Sequence, residues 1–192
     1  MRPSSCSLSG LLLALTLLFS VPMAAMAADP WQAVRDGRAF AMIRHALAPG
    51  TGDPASFDVS DCSTQRNLDD AGRRQAERLG DIFRENGIAE ADVFTSAWCR
   101  CRDTATLMDL GAVTVLPPLN SFFRNRSREA GQMRALKDWL AARQSSAPLV
   151  LVTHQVNITA LTDVFPQSGE IIFVAGDPAD GFRVIARVAT DD

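Results

Sequence analysis

Two short apolar runs, Ala39-Phe40-Ala41-Met42-Ile43 and Leu149-Val150-Leu151-Val152, constrain this chain more than any other feature. Neither is broken by a polar residue, so each reads as a strand buried inside a sheet. Both stop at a histidine, and the chain has only these two. Arg44-His45-Ala46 follows the first run and Thr153-His154-Gln155 the second. Strand ends beside helix starts are where open α/β sheets gather ligand-binding groups. Two imidazoles placed there, one directly after an arginine, point to phosphoryl transfer through histidine.

Between and around these runs, strand and helix patterns alternate. Trp31 to Asp36 reads as a short helix, and residues 46–68 as a long polar loop with strong turn chemistry at Pro49-Gly50-Thr51-Gly52-Asp53-Pro54. A loop of that length inside one domain is commonly functional. Ala71, Ala76, Leu79, Ile82 and Phe83 recur at helical spacing, predicting an amphipathic helix from Asp70 to Glu85 that Asn86-Gly87 ends. Asp92 to Thr95 and Val113 to Leu116 read as strands, Cys99 to Leu110 as a helix between them. A loop-like basic segment, residues 119–128, precedes helices over Glu129 to Arg143 and Val156 to Val164, which flank the second apolar run. Glu170 to Ala175 and Phe182 to Val188 are closing strands, able to form an antiparallel hairpin at one edge. The alternation predicts a three-layer α/β/α sandwich with a mostly parallel sheet.

The first residues stand apart. Arg2, the apolar stretch Leu11 to Val21 and Ala25-Met26-Ala27 follow the order of a secretory leader, so residues 1–27 are read as a signal peptide and 28–192 as one domain. A retained membrane anchor is the alternative, but the apolar stretch is short for a bilayer span. The expected location is periplasmic or secreted. There Cys62, Cys99 and Cys101 meet an oxidising environment. In a helix Cys99 and Cys101 point to nearly opposite faces, so Cys62 is expected to bridge to one of them. Zinc binding is disfavoured, because one residue between Cys99 and Cys101 is too few for the usual ligand pair. The net charge of −3 leaves no large basic surface, which argues against a nucleic-acid partner.

Taken singly, the polar residues at the junctions have bland readings. Arg44-His45 can be a surface pair, and adjacent strand residues converge only if the backbone turns between them. In Thr95-Ser96-Ala97-Trp98-Cys99-Arg100-Cys101-Arg102-Asp103-Thr104-Ala105, Ser96 can cap the next helix. Arg100 then lies near a helix N-terminus, where backbone N–H groups favour an anion. His154 alone can be a structural histidine. Arg124, Arg126 and Arg128 read as a solvated loop or a clamp for an acidic substrate, and Gln65 and Arg66 can face the same pocket.

The set is more specific than its members. Arg-His-small near the start, Ser-x-x-x-Arg-x-x-x-Thr-Ala in the middle and a strand-borne Thr-His near the end resemble the histidine phosphatase superfamily, the phosphoglycerate-mutase-like fold. Asn67-Leu68-Asp69-Asp70-Ala71-Gly72-Arg73-Arg74-Gln75-Ala76 is similar to the opening of that family's first helix, and the likeness spans about residues 38–165. It implies His45 as the phosphorylated nucleophile, with Arg44, Arg100 and His154 binding phosphate and Thr51 as a weaker polar contact. It implies turnover without a metal or other cofactor. Among exported members, the lipopolysaccharide-core heptose phosphatases show a comparable Arg-His-Ala and a loop cysteine, a pointer to compartment rather than substrate.

One departure matters. Many relatives carry a glutamate general acid after the third strand, following a leucine, where this chain reads Leu119-Asn120-Ser121-Phe122. The remaining carboxylates to consider are Asp53, Asp61 and Glu129, with Asp53 favoured because the turns around it can fold it over His45. The expectation is an exported phosphatase acting on a small phosphomonoester, such as a cell-envelope sugar phosphate, with no stable membrane insertion after cleavage. The alternative is a periplasmic pseudoenzyme that binds phosphorylated ligands without turning them over. Retained turnover without the usual glutamate would mean another acid, or a substrate such as a phosphoanhydride or phosphohistidine that needs little acid help.

Overall fold

The computed structural model describes residues 29–190; the leader read in residues 1–27 lies outside them. Six strands form one sheet: β1 (Ala39–Arg44), β2 (Asp92–Thr95), β3 (Val113–Val115), β4 (Leu149–Thr153), β5 (Ile171–Asp177) and β6 (Gly181–Val188). Their order is β3-β2-β4-β1-β5-β6. The first four run parallel, while β5 lies antiparallel to both β1 and β6. The sheet is therefore mixed, with the expected hairpin at one edge.

The apolar runs are buried on both faces because both faces carry helices. Ala39, Ala41 and Ile43 of β1, with Val150 and Val152 of β4, pack beneath α1 (Pro30–Arg35), α2 (Asp70–Glu85) and α3 (Cys99–Leu107). Phe40 and Met42, with Leu149 and Leu151, face α4 (Glu129–Ala142) and α5 (Gln155–Thr162) on the other side. Alternate residues thus serve separate cores, which removes the polar face a one-sided strand would show. On β6 a register shift opposite Phe173 and Val174 moves the inward residues from one core to the other. Phe182 and Val184 pack on the α4/α5 side, Ala186 and Val188 on the α1–α3 side.

Helix ends follow local chemistry. The Asp69 carboxylate accepts from Gly72 N–H at 2.8 Å and caps α2. α3 and α5 stop earlier than their apolar patterns suggest, where Asp109 and Asp163 take left-handed conformations at φ 49° and 58°. Gly72 and Gly80 let α2 approach the backbones of Leu47 and Met108 so closely that a Cβ at either position would overlap a carbonyl. The first contact fixes α2 against the segment just after His45. Among the described residues, no helix is long and apolar enough to cross a membrane.

Candidate active site

β2, β4 and β1 are neighbours in the sheet, and their C-terminal ends are in register, with Thr95 opposite Val152 and Arg44 opposite Thr153. The residues that follow, Ser96, His154 and His45, therefore emerge side by side. His45 N–H donates to the Thr153 carbonyl at 2.9 Å, which extends the β1–β4 ladder one residue past the strand and holds the histidine backbone rigidly. Arg44, His45, Thr51, Asp53, Arg66, Arg100 and His154 line one cleft there. The strand ends at Arg44, so both members of the Arg44-His45 pair reach the same space.

The hydrogen bonds of His45 define its protonation. Nδ1 lies 2.8 Å from the Ala46 carbonyl, which can only accept, so Nδ1 carries the proton and Nε2 keeps its lone pair. Arg100 Nε–H donates to that lone pair at 3.2 Å. Burial holds the His45 pKa well below 6.5, and the positive charges of Arg100, Arg66 and Arg44 reinforce this against the Ala46 bond. The ring is therefore neutral at physiological pH. The backbone around it is tied in turn, since Ala46 N–H donates to Thr104 Oγ1 and that hydroxyl donates to the Arg100 carbonyl.

His154 stands with its ring centroid 5.5 Å from that of His45. Its Nε2 lies 2.8 Å from the Ser96 hydroxyl. Burial, followed by His45 and the three arginines, holds its pKa well below 6.5 as well. Ser96 does not cap α3 as expected: the helix starts at Cys99, so the cap position is Trp98, without a side-chain bond, while the Ser96 hydroxyl accepts from Trp98 N–H and also meets His154 and Asn120. Arg44 donates from Nη1 to the Pro166 carbonyl, while its Nε is buried without a partner among the described residues. That leaves one guanidinium N–H unsatisfied in the wall of a cleft that also holds Arg66 and Arg100.

The three carboxylates separate clearly. Asp53 enters the cleft and forms a fork with Arg100, Oδ1 to Nη1 at 2.6 Å and Oδ2 to Nη2 at 3.3 Å. It also accepts from Trp98 Nε1 at 3.1 Å and Arg66 N–H at 3.2 Å. Burial raises its pKa, but the bonds and charge of Arg100 together with the other donors outweigh that, and the net shift is downward. Asp61 does not reach the cleft: it is exposed and caps a single turn over Cys62–Thr64 by accepting from Ser63. Glu129 begins α4 and lies 3.7 Å from Arg126, outside the cleft lining. Asn120 follows Leu119 in place of a glutamate, and its Oδ1 accepts from Ala97 N–H at 2.8 Å.

Arg66 joins the cleft, bonding Gly52 and Ala48 carbonyls, whereas Gln65 turns away to Asp58, Val59 and the Cys99 N–H. Of the three basic-loop arginines only Arg124 lines the cleft. Cys62 bridges to Cys99, leaving Cys101 buried as a free thiol that burial pushes up to about 12. That bridge anchors the 46–68 loop directly beside Arg100. Trp98, Phe57 and Phe123, which also line the cleft, carry no local motif that marks them in the sequence.

Residues 41–120 match the profile of the histidine phosphatase superfamily (branch 1). No curated protein matches the sequence. Solved structures share the fold at low identity. The mycobacterial glucosyl-3-phosphoglycerate phosphatase Rv2419c, complexed with VO3, superposes with a TM-score of 0.56 at 17% identity over 77% of this chain and 96% of that one. The protein histidine phosphatase SixA complexed with tungstate gives 0.53 at 16% identity, covering 79% and 96%. TTHB049 from Thermus thermophilus gives 0.56 at 17% identity, covering 80% and 99%. The fold is thus the phosphoglycerate-mutase-like α/β fold, and the sequence match over its first half agrees.

Proposed function

We propose that the protein is a phosphatase that hydrolyses a small phosphomonoester through a phosphohistidine on His45. The observation that carries this reading is the state of His45: a neutral imidazole with Nδ1 tied to a carbonyl, and an unprotonated Nε2 that accepts from Arg100 Nε–H at 3.2 Å. In the first step the Nε2 lone pair forms the N–P bond while the P–O bond to the alcohol breaks and its electron pair leaves with that oxygen. Arg44, Arg100 and His154 are the groups placed to hold the phosphoryl oxygens as charge redistributes, with Thr51 at the rim. In the second step water attacks phosphorus, the N–P bond breaks back to the Nε2 lone pair, and phosphate leaves. The complexes of two fold neighbours with VO3 and tungstate support oxyanion binding in such a cleft.

Asp53 is the carboxylate best placed to protonate the departing oxygen. Without substrate it is an ion-paired carboxylate. An arriving phosphate dianion competes for Arg100, frees Asp53 from its fork and adds negative charge beside it, and both changes drive proton uptake. Export belongs to the same reading. The leader composition suggests it, and a Cys62–Cys99 bridge is compatible with an oxidising compartment. Such a compartment would offer phosphomonoesters of the cell envelope, sugar phosphates among them.

The test is turnover of generic phosphomonoesters by the mature protein, with acid quenching to trap a labelled phosphoenzyme. His45→Ala is expected to lose on the order of 10⁴-fold or more in kcat/KM and all labelling. Turnover retained by that variant would overturn the mechanism. Absence of turnover in the unsubstituted protein, with phosphate-ester binding intact, would identify a binding protein; Asn120 in place of a carboxylate is the observation that favours this second reading.

A further inference from the structure

The cleft has a second half that the phosphoryl chemistry leaves unused. Phe57, Trp98 and Phe123 line it beside the cationic floor. The Phe57 and Trp98 rings lie nearly parallel, 22° apart in plane with centroids at 5.1 Å. Phe123 is 47% exposed although it lines a concavity, and Arg126 supports it with a guanidinium 5.8 Å from its ring centroid. The loops carrying Phe57 and Phe123 meet where Arg124 donates to the Pro54 carbonyl at 3.3 Å. An apolar wall left open inside a charged cleft marks a binding surface for an apolar group.

A second observation points the same way. Asn120 offers no carboxyl proton at the position after Leu119, and Asp53 begins as an ion-paired carboxylate. An aliphatic alkoxide leaves poorly without a proton. A phenol ionises near pH ~10, far more readily than an aliphatic alcohol, so a phenoxide leaves with little help. From the wall and the weak acid together, we infer that the substrates are aryl phosphates, their rings held by Phe57, Trp98 and Phe123.

The inference rests on the proposed phosphate site only for where the phosphoryl group sits, and binding can test it apart from turnover. Benzylphosphonate and methylphosphonate carry the same charged group, cannot be hydrolysed at a P–O ester bond, and differ by the ring. Calorimetry is expected to find benzylphosphonate about tenfold tighter or more. That ratio should fall to within about twofold in Phe123→Ala and Phe57→Ala. Phenyl phosphate should also exceed glucose 6-phosphate in kcat/KM. Equal affinity for the two phosphonates, or preference for the sugar phosphate, would overturn the inference while leaving the phosphohistidine mechanism standing. Tight benzylphosphonate binding without turnover of any ester would overturn the phosphatase reading and leave the aromatic wall standing only as a binding site for aryl ligands.

Discussion

The floor and the rim of the cleft are built by different means. On the floor, His45, Ser96 and His154 leave adjacent strands whose ends are in register, and His45 continues the ladder through Thr153. At the rim, Asp53, Phe57 and Arg66 sit on a 23-residue polar loop, residues 46–68, that contributes few core side chains. Its positions depend on the Cys62–Cys99 bridge, the Asp53 fork to Arg100 and a handful of side-chain bonds to carbonyls. On the proposed mechanism, the attacking group would thus be held on a rigid frame, and the groups facing the leaving alcohol on loop chain.

Arg100 belongs to both halves, and Arg100→Ala should have the largest effect in this comparison. A loss on the order of 10³-fold in kcat/KM is expected, with the far-UV spectrum unchanged. Near-normal turnover would remove it from the phosphate site. Cys62→Ser acts on the rim alone. In the chain-entropy model a bridge across 37 residues is worth about 4 kcal/mol, measurable by urea unfolding under oxidising conditions. A loss below about 1 kcal/mol would mean that the side-chain bonds hold the loop without it.

Asp53→Asn separates proton donation from loop positioning. As a donor, Asp53 is worth about 10²-fold in kcat with an alkyl phosphate and little with phenyl phosphate. Equal losses on both substrates would make it a positioning residue for Arg100. The smallest effect concerns the floor and pH. The folded chain keeps His45 and His154 neutral below the pH at which the unfolded chain protonates them, near 6.5. Their contribution to stability is therefore complete above that pH and declines as the pH falls through it. The melting temperature should drop between pH 7.5 and 5.5, and His154→Asn should flatten that drop; an unchanged slope would mean the histidines are not held neutral.

The same division explains what the amino-acid order reveals. His45 and His154 are legible because each follows an apolar run, and local pattern fixes strand ends closely: Asp92 to Thr95 and Asp70 to Glu85 coincide with the observed β2 and α2. Turn chemistry around Asp53 favours it among the carboxylates, and those turns do bring it over the floor. The rim is less legible because its contacts cross large sequence separations. The pairing of Cys62 with Cys99 rather than Cys101 follows from which face of α3 meets the loop. Ser96 reads as a local cap, yet the helix starts three residues later and the serine hydroxyl reaches the distant His154. Trp98 and Phe123 look like ordinary apolar residues until two loops bring them to one opening.

Cys101 gives the oxidative history of this fold a particular hazard. Cys99 and Cys101 face opposite sides of α3, so Cys62 has two candidate partners, and only the Cys62–Cys99 pairing leaves the remaining sulfur inside the layer between α3 and the sheet. Premature closure onto Cys101 would drag the loop toward a position that the native packing fills. If oxidation precedes packing, scrambling onto Cys101 is the expected error, and a Cys101→Ala chain is expected to reach a single bridged form with fewer scrambled isomers.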